Sequence, residues 1–282
     1  MKESVWITGA KGRLGRELYN LIKDNSTEII TTDTDIDVAE VETVIDYARM
    51  NHPDVIINCA AMTDTAQCEK NRIGAYRANA LGARNLAVAA RTVNAKLIQL
   101  STDDIFEGTQ AETFNEFDTP VPSTVYAKSK YAGEMMVREL APKHVIIRSS
   151  WLYGFEGDSF VSRVIEAARK GEPVEVVKEQ HGSPTSVKAL AEFIKKIIPL
   201  KEYGVFHAAC EGCCTREEFA KEILSVMGLK ADIAYKKGEY RPDNARIENL
   251  MMKMTNLHTM PHWKEALHEY LGGIINERSS DR

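Results

Sequence analysis

The apolar run Val5-Trp6-Ile7-Thr8 passes directly into Gly9-Ala10-Lys11-Gly12-Arg13-Leu14-Gly15. Few folds need three glycines at that spacing between a strand and a helix. Gly9 permits the tight turn that leaves the strand, Gly12 lets a ligand approach the backbone, and Gly15 lets the helix pack close to the sheet. A helix opened in this way presents free N–H groups and a partial positive charge, which suits a pyrophosphate. The spacing is GxxGxxG rather than GxGxxG, so the glycines need support from the rest of the chain before they name a ligand.

Alternation along the chain supplies that support. Strand-like runs at 4–8, 27–32, 55–58, 97–101 and 145–149 are separated by helical patterns at 12–23, 41–50, 69–92 and 123–140. Such β–α–β alternation predicts a parallel sheet covered by helices on both faces. Beyond Trp151 the pattern loosens, with helices expected at 159–170, 187–198, 215–227 and 262–271 and short strands at 173–177 and 205–207. Thr215-Arg216-Glu217-Glu218 has the spacing of a capping box at the start of one of these helices. The expected fold is α/β: a doubly wound, Rossmann-like parallel sheet with a smaller C-terminal substrate-binding lobe. Residues 1–150, with returning segments at about 184–208, are expected to form the dinucleotide-binding domain, and 151–183 with 209–282 the lobe.

Bulk properties narrow the function classes. The 282 residues are 44% hydrophobic, enough for a large core without disulfides. The net charge of −5, with both signs interspersed, argues against nucleic acid and against an anionic membrane. Five cysteines, an odd number, suit reduced thiols and a cytoplasmic setting, and neither a signal peptide nor a long apolar segment is evident. Cys210-x-x-Cys213 supplies only half of a zinc site, so no metal is expected.

Two further patterns carry chemistry. Asp33 closes the second strand, where a carboxylate accepts hydrogen bonds from an adenosine ribose and favours NADH; Arg13, a guanidinium inside the glycine loop, suits the 2′-phosphate of NADPH. The balance leans to NADH with NADPH tolerated. Tyr126 and Lys130 lie one helical turn apart, so both face one side. Hydride delivery to a ketone creates a need for a proton, and a free tyrosine, with a pKa near ~10, exchanges it poorly at neutral pH. A nearby cation such as Lys130 favours the phenolate. Thr102 ends a strand at the edge where α/β sheets bind ligands, and its hydroxyl can polarise a carbonyl oxygen. Tyr126, Lys130 and Thr102 are therefore the candidate catalytic residues of a nicotinamide-dependent enzyme acting on a carbonyl or an alcohol.

These residues resemble the extended short-chain dehydrogenase/reductase superfamily and, within it, the dTDP-4-dehydrorhamnose reductase family. The resemblance runs nearly end to end. It rests on the glycine loop, Pro53-Asp54-Val55-Ile56-Ile57-Asn58-Cys59-Ala60-Ala61, Asn79-Ala80-Leu81-Gly82-Ala83-Arg84-Asn85-Leu86, Ser101-Thr102-Asp103, Arg148-Ser149-Ser150-Trp151-Leu152-Tyr153-Gly154, Gly182-Ser183-Pro184-Thr185, and Arg241-Pro242 with Asn244. It implies reduction of a 4-keto nucleotide sugar to dTDP-L-rhamnose for surface polysaccharide, with a possible homodimer. Carried onto matching positions, Gly12, Arg13, Leu14, Asp33, Asp37, Val38, Ala60, Ala61 and Met62 line the cofactor. Thr102, Asp103 and Trp151 touch the sugar, and Arg241 meets the diphosphate.

The chain also departs from that pattern. Asp104 stands where the family carries a tyrosine, Met62 where an aromatic residue or His is common, and Arg216 where a tryptophan is frequent; Asp158-Ser159-Phe160 replaces Asn-Asn-Phe. Two other readings therefore stay open. A sugar-nucleotide 4,6-dehydratase or epimerase shares the fold and the Tyr-x-x-x-Lys pair, and Thr102-Asp103-Asp104 is close to the dehydratase's Thr-Asp-Glu. A non-catalytic NAD(P)-binding regulatory subunit would keep the nucleotide site alone.

Overall fold

The computed structural model describes residues 2–23, 26–108, 112–154 and 157–280. At its centre lies a six-stranded sheet, every pair of neighbours parallel. Its strands are β1 (Glu3–Thr8), β2 (Thr27–Thr32), β3 (Val55–Asn58), β4 (Lys96–Thr102), β5 (His144–Ser149) and the later strand Gly204–His207. Across the sheet they run Gly204–His207, β5, β4, β3, β1, β2. The order reverses between β1 and β3, the switch point where open α/β sheets bind ligands.

Side-chain alternation explains why both faces are covered. Val5, Ile7, Ile57, Ile98, Val145 and Ile147 share one apolar cluster with Leu14, Leu18, Leu190 and Phe193. These last four come from helix α1 (Arg13–Ile22) and the helix Val187–Ile197. Trp6, Ile56, Leu97 and Ile146 point the other way, into a cluster with Val44, Leu86, Ala87 and Val137. That layer consists of α2 (Val41–Asn51), α5 (Gly82–Val93) and α6 (Val125–Leu140). Period-2 burial on both faces is what a parallel sheet inside two helical layers requires.

The long helix expected at 69–92 is not continuous. It starts earlier, as α3 (Thr65–Lys70), is re-initiated by Asn71 as α4 (Arg72–Tyr76), and passes through a π turn, Arg77–Leu81, into α5. The Asn71 side chain accepts from Gly74 N, a local hydrogen bond that competes with helix continuation. In the later third, the strand Ile233–Lys236 pairs in parallel with Val174–Val177, and a helix Leu250–Thr255 forms; neither is evident from the pattern. The last helix runs from Trp263 to Ser280, longer than expected. The Thr215 capping box is present, with Thr215 and Glu218 bonding each other's backbone N–H.

The glycine loop is fixed by space. Gly9 has φ +63°, and a Cβ there would lie 2.6 Å from Ala60 N; a Cβ on Gly15 would lie 2.6 Å from Gly9 O. Gly12 is less confined, its nearest atom for a Cβ being Gly9 O at 3.2 Å. Gly9→Ala is expected to destabilise the protein by roughly 2–4 kcal/mol, from the left-handed backbone and the overlap with Ala60 together. Gly12→Ala is expected to cost about 1 kcal/mol or less. Urea unfolding monitored by circular dichroism measures both, and equal losses would show that the loop is not sterically graded in this way.

Candidate active site

The site is assembled where β1, β3 and β4 end. Thr8 Oγ1 donates to Asn58 Oδ1 at 2.8 Å, and Asn58 Nδ2 donates to Gln99 Oε1 at 2.8 Å, so a buried polar line ties the three strand ends together. Ala60 N also donates to Asn58 Oδ1, which shapes the chain leaving β3. That chain is pinned from above by Asn79 in the π turn. Met62 N donates to Asn79 Oδ1, and Asn79 Nδ2 reaches both Met62 O and Ser129 Oγ. A single π turn at a functional site is common, because the extra residue aims one side chain out of helical register.

Two hollows sharing Gly9, Lys11, Gly12, Cys59 and Ala61 flank the loop. The first, about 640 Å³, also takes in Asp33, Asp37, Val38 and Ala60. The second, about 440 Å³, takes in Arg13, Leu14, Gly15, Ser101, Tyr126 and Lys130. Among the described residues no side chain caps the N-terminus of α1, so its first-turn amides open toward the shared floor. Glycines that leave no room for a Cβ, an uncapped helix and a carboxylate at the end of β2 together fit a dinucleotide.

Arg13 does not reach the Asp33 hollow; its Nη1 donates to Asp158 O at 2.6 Å. Lys11 is the basic residue lining that hollow, and its backbone N–H donates to Asp33 Oδ2 at 2.9 Å. Met62 lines neither hollow among the described residues, and packs with Cys68, Ala75 and Tyr126. Asp37 pairs with Arg77 at 3.0 Å; the Ala39 N–H and then Arg77 hold its carboxyl below the usual range.

Tyr126 and Lys130 are buried and line the second hollow; Thr102, buried as well, is hydrogen-bonded to the Tyr126 phenol. Thr124 caps α6, its side chain accepting from Ala127 N, and Glu69 Oε1 accepts from Val125 N. The first turn of α6 thus holds Tyr126 against the end of β4. Burial pushes the phenol pKa up, and Asp104 pushes it further; Arg241 and the hydrogen bond with Thr102 oppose that. The cation bearing on the phenol is therefore Arg241, whose Cζ lies 5.9 Å from the ring centroid. Lys130 Nζ instead donates to Leu100 O at 2.6 Å, and burial lowers its pKa to about 8 despite Glu134.

Around the phenol lies a charge cluster that the motifs do not reveal. Asp103 Oδ1 accepts from Thr102 Oγ1 at 3.2 Å and Asp103 Oδ2 from Ser150 Oγ at 2.5 Å. Asp104 is paired with Arg241. The Arg216 guanidinium lies 3.4 Å from the centroid of the Trp151 ring, and its Nε donates to Gln180 Oε1. Trp151 itself has φ +42°, and a Cβ on Gly182 would lie 2.3 Å from the indole. Arg216 therefore covers the indole face that the sequence reading assigned to a sugar. Burial, then Arg241, pushes the Arg216 pKa down to about 9, while Asp103 and Asp104 counteract. Asp104 and Arg216 stand out in the sequence only as departures from the related pattern, not as site residues, and nothing in the sequence points to Glu134.

Comparison with known proteins follows from this geometry. The family described as RmlD substrate binding domain matches residues 1–275. The spore coat polysaccharide biosynthesis protein SpsK of Bacillus subtilis (strain 168) is 35% identical, over 98% of this chain and 98% of its own. The dTDP-4-keto-6-deoxy-D-glucose reductase of Streptomyces niveus is 32% identical, over 93% of this chain and 94% of its own. A crystal structure of dTDP-4-dehydrorhamnose reductase from Bacillus anthracis, in complex with NADP, is similar with a TM-score of 0.92 and 39% identity, covering 96% of this chain and 98% of that one.

Burial, and after it the neighbouring Asp104, pushes the Asp103 pKa up to about 7. The folded state then holds a proton that the unfolded chain releases above its ordinary carboxylate pKa. Stability from this source is present at low pH and is lost as pH rises from about 4 to about 7. Asp103→Asn carries no such dependence. Its melting temperature relative to the parent protein is expected to be higher at pH 8 than at pH 5 by several degrees, since each kcal/mol moves Tm by about 2–4 °C in domains of roughly this size. Equal differences at the two pH values would show that Asp103 ionises normally.

Proposed function

The chain belongs to the RmlD substrate binding domain family, and from that membership we propose that it is a nicotinamide-dependent reductase of a 4-keto nucleotide sugar. The substrate we favour is dTDP-4-dehydro-6-deoxy-L-mannose, reduced to dTDP-L-rhamnose. The observation that carries this reading is that Tyr126, hydrogen-bonded to Thr102, lines one hollow together with Lys130 and the start of α1. Two of the similar proteins are named as a dTDP-4-keto-6-deoxy-D-glucose reductase and a dTDP-4-dehydrorhamnose reductase, which supports it further.

When bound, the dihydronicotinamide supplies a hydride. The first-turn amides of α1 and the glycine loop hold the diphosphate, and Asp33 receives the adenosine ribose. Lys130 steadies the nicotinamide ribose from α6. Tyr126 Oη donates the proton that the sugar carbonyl oxygen needs, and Thr102 Oγ1 orients both oxygens. Arg241 opposes the effect of burial on the phenol, while Asp103 and Trp151 border the sugar. We assign this recognition to the lobe formed by 151–183 and 209–282, and dinucleotide binding to 1–150 with about 184–208. The Asp104–Arg241 pair weighs against a dehydratase, because an Asp104 engaged by a guanidinium is a poor free acid. Exposed Ile73, Leu81 and Met136 beside Arg72 and Arg84 support a homodimer face.

NADH and NADPH oxidation followed with dTDP-, GDP- and UDP-linked 4-keto sugars tests the reading. Turnover is expected with the dTDP-4-keto-6-deoxy-L-hexose, with NADH used in preference. Asp33→Ser is expected to move that preference toward NADPH. Tyr126→Phe is expected to lower kcat by about 10²–10⁴-fold while dinucleotide affinity holds. Binding without oxidation across the panel overturns the assignment, and turnover without net cofactor consumption replaces it with a dehydratase or epimerase.

A further inference from the structure

Glu134 lies one turn beyond Lys130 on α6 and is fully buried. Its Oε1 accepts from Ser101 Oγ at 2.5 Å and from Arg148 Nε at 3.0 Å, and its Oε2 accepts from Arg148 Nη2 at 2.8 Å. Arg148 is also fully buried. Lys130 and Glu134 thus reach consecutive residues of one strand, Leu100 and Ser101.

We propose that Glu134 is a positioning residue for the reduction, which keeps Lys130 as an ammonium at the nicotinamide ribose site and is not solely the counter-ion of Arg148. This rests on the reading of Lys130 given above. The argument is one of charge balance. From β5 comes the cation Arg148, and from α6 the half-exposed Arg138, 3.7 Å from Glu134. The strand Gly204–His207 contributes His207, whose Nε2 lies 3.3 Å from Arg148 Nη1; burial pushes its pKa down to about 3, so it brings no charge. Cys59, after β3, is pushed up to about 12 by burial and stays a thiol. Tyr126 stays a phenol, raised by burial. Glu116 is engaged by the backbone N–H groups of His207, Leu250 and Met251. Glu134 is then the anion between two buried cations. Arginine cannot shed its proton in a protein and lysine can. Removing Glu134 therefore falls on Lys130, which becomes a neutral amine and leaves the nicotinamide ribose without its charged donor.

The test separates this from a structural role. Glu134→Gln alone strands Arg148 and is expected to destabilise strongly. The double variant Glu134→Gln with Arg148→Met removes the ion pair as a unit and is expected to fold, because buried pairs tolerate such replacement. In that variant the alkaline limb of the kcat/KM profile is expected to move to lower pH by about one unit or more, with dinucleotide affinity falling in the same range. A double variant that folds and keeps the parent limb overturns the proposal and leaves Glu134 as a counter-ion only. If the double variant does not fold, the same limb is read on Glu134→Gln held folded by saturating NADH, which stabilises the native state by mass action. Lys130→Met distinguishes the underlying reading: undiminished turnover in it removes the role of Lys130, whereas its loss beside an unshifted double variant removes only the role of Glu134.

Discussion

Lys130 is a cation kept inside the protein, and much of the site follows from the cost of keeping it there. An ammonium out of water must be both hydrogen-bonded and charge-compensated, or it sheds its proton. The Leu100 carbonyl meets the first need and Glu134 the second. Both contacts require α6 to lie close on β4. Gly133 lets α6 lie equally close on the π turn, since a Cβ there would lie 2.4 Å from Asn79 O. The same closeness lets Asn79 reach Ser129, next to Lys130, and hold the chain after β3 through Met62. One helix-on-sheet contact thus positions the proton-transfer groups and the wall of the dinucleotide hollow together.

The sheet was legible because its signal is local. Apolar runs such as 27–32 and 55–58, bounded by helical periodicity, needed no tertiary information, and the structure places those strands at the same residues. What was not legible depended on partners distant in sequence. Ile233–Lys236 has two half-buried and two exposed residues and becomes a strand by pairing with Val174–Val177. The run 69–92 reads as one alanine-rich helix. Its interruption comes from asparagine side chains, one bonding within the turn and one bonding across to another element, and apolar periodicity does not register either.

The site divides in the same way. The glycines, Asp33, Thr102, Tyr126 and Lys130 carry a spacing that the chemistry imposes, so they can be found in one dimension. Arg13 was placed correctly in the loop, yet its direction is set by Asp158 O, far along the chain. Trp151 was placed at the lobe boundary, but which of its surroundings it offers is decided by Arg216. A motif fixes where a side chain starts; its direction follows from packing across elements.

Asp104 and Arg216 depart from the related pattern at two positions where aromatic residues are usual, and the structure gives a reason for them to occur together. A lone carboxylate at Asp104, almost fully buried, would be driven to protonate by burial. Arg241 meets it directly, and Arg216 adds a second positive charge nearby. A lone guanidinium at Arg216 would face the reverse cost, with Arg241 repelling it, and the two carboxylates relieve that. The indole of Trp151 then serves as a platform for the guanidinium, a contact favoured because the ring face is negative. Replacing either charge alone would leave the other partly uncompensated in a poorly hydrated cleft. Together the two residues replace an aromatic lining with one whose charges offset each other.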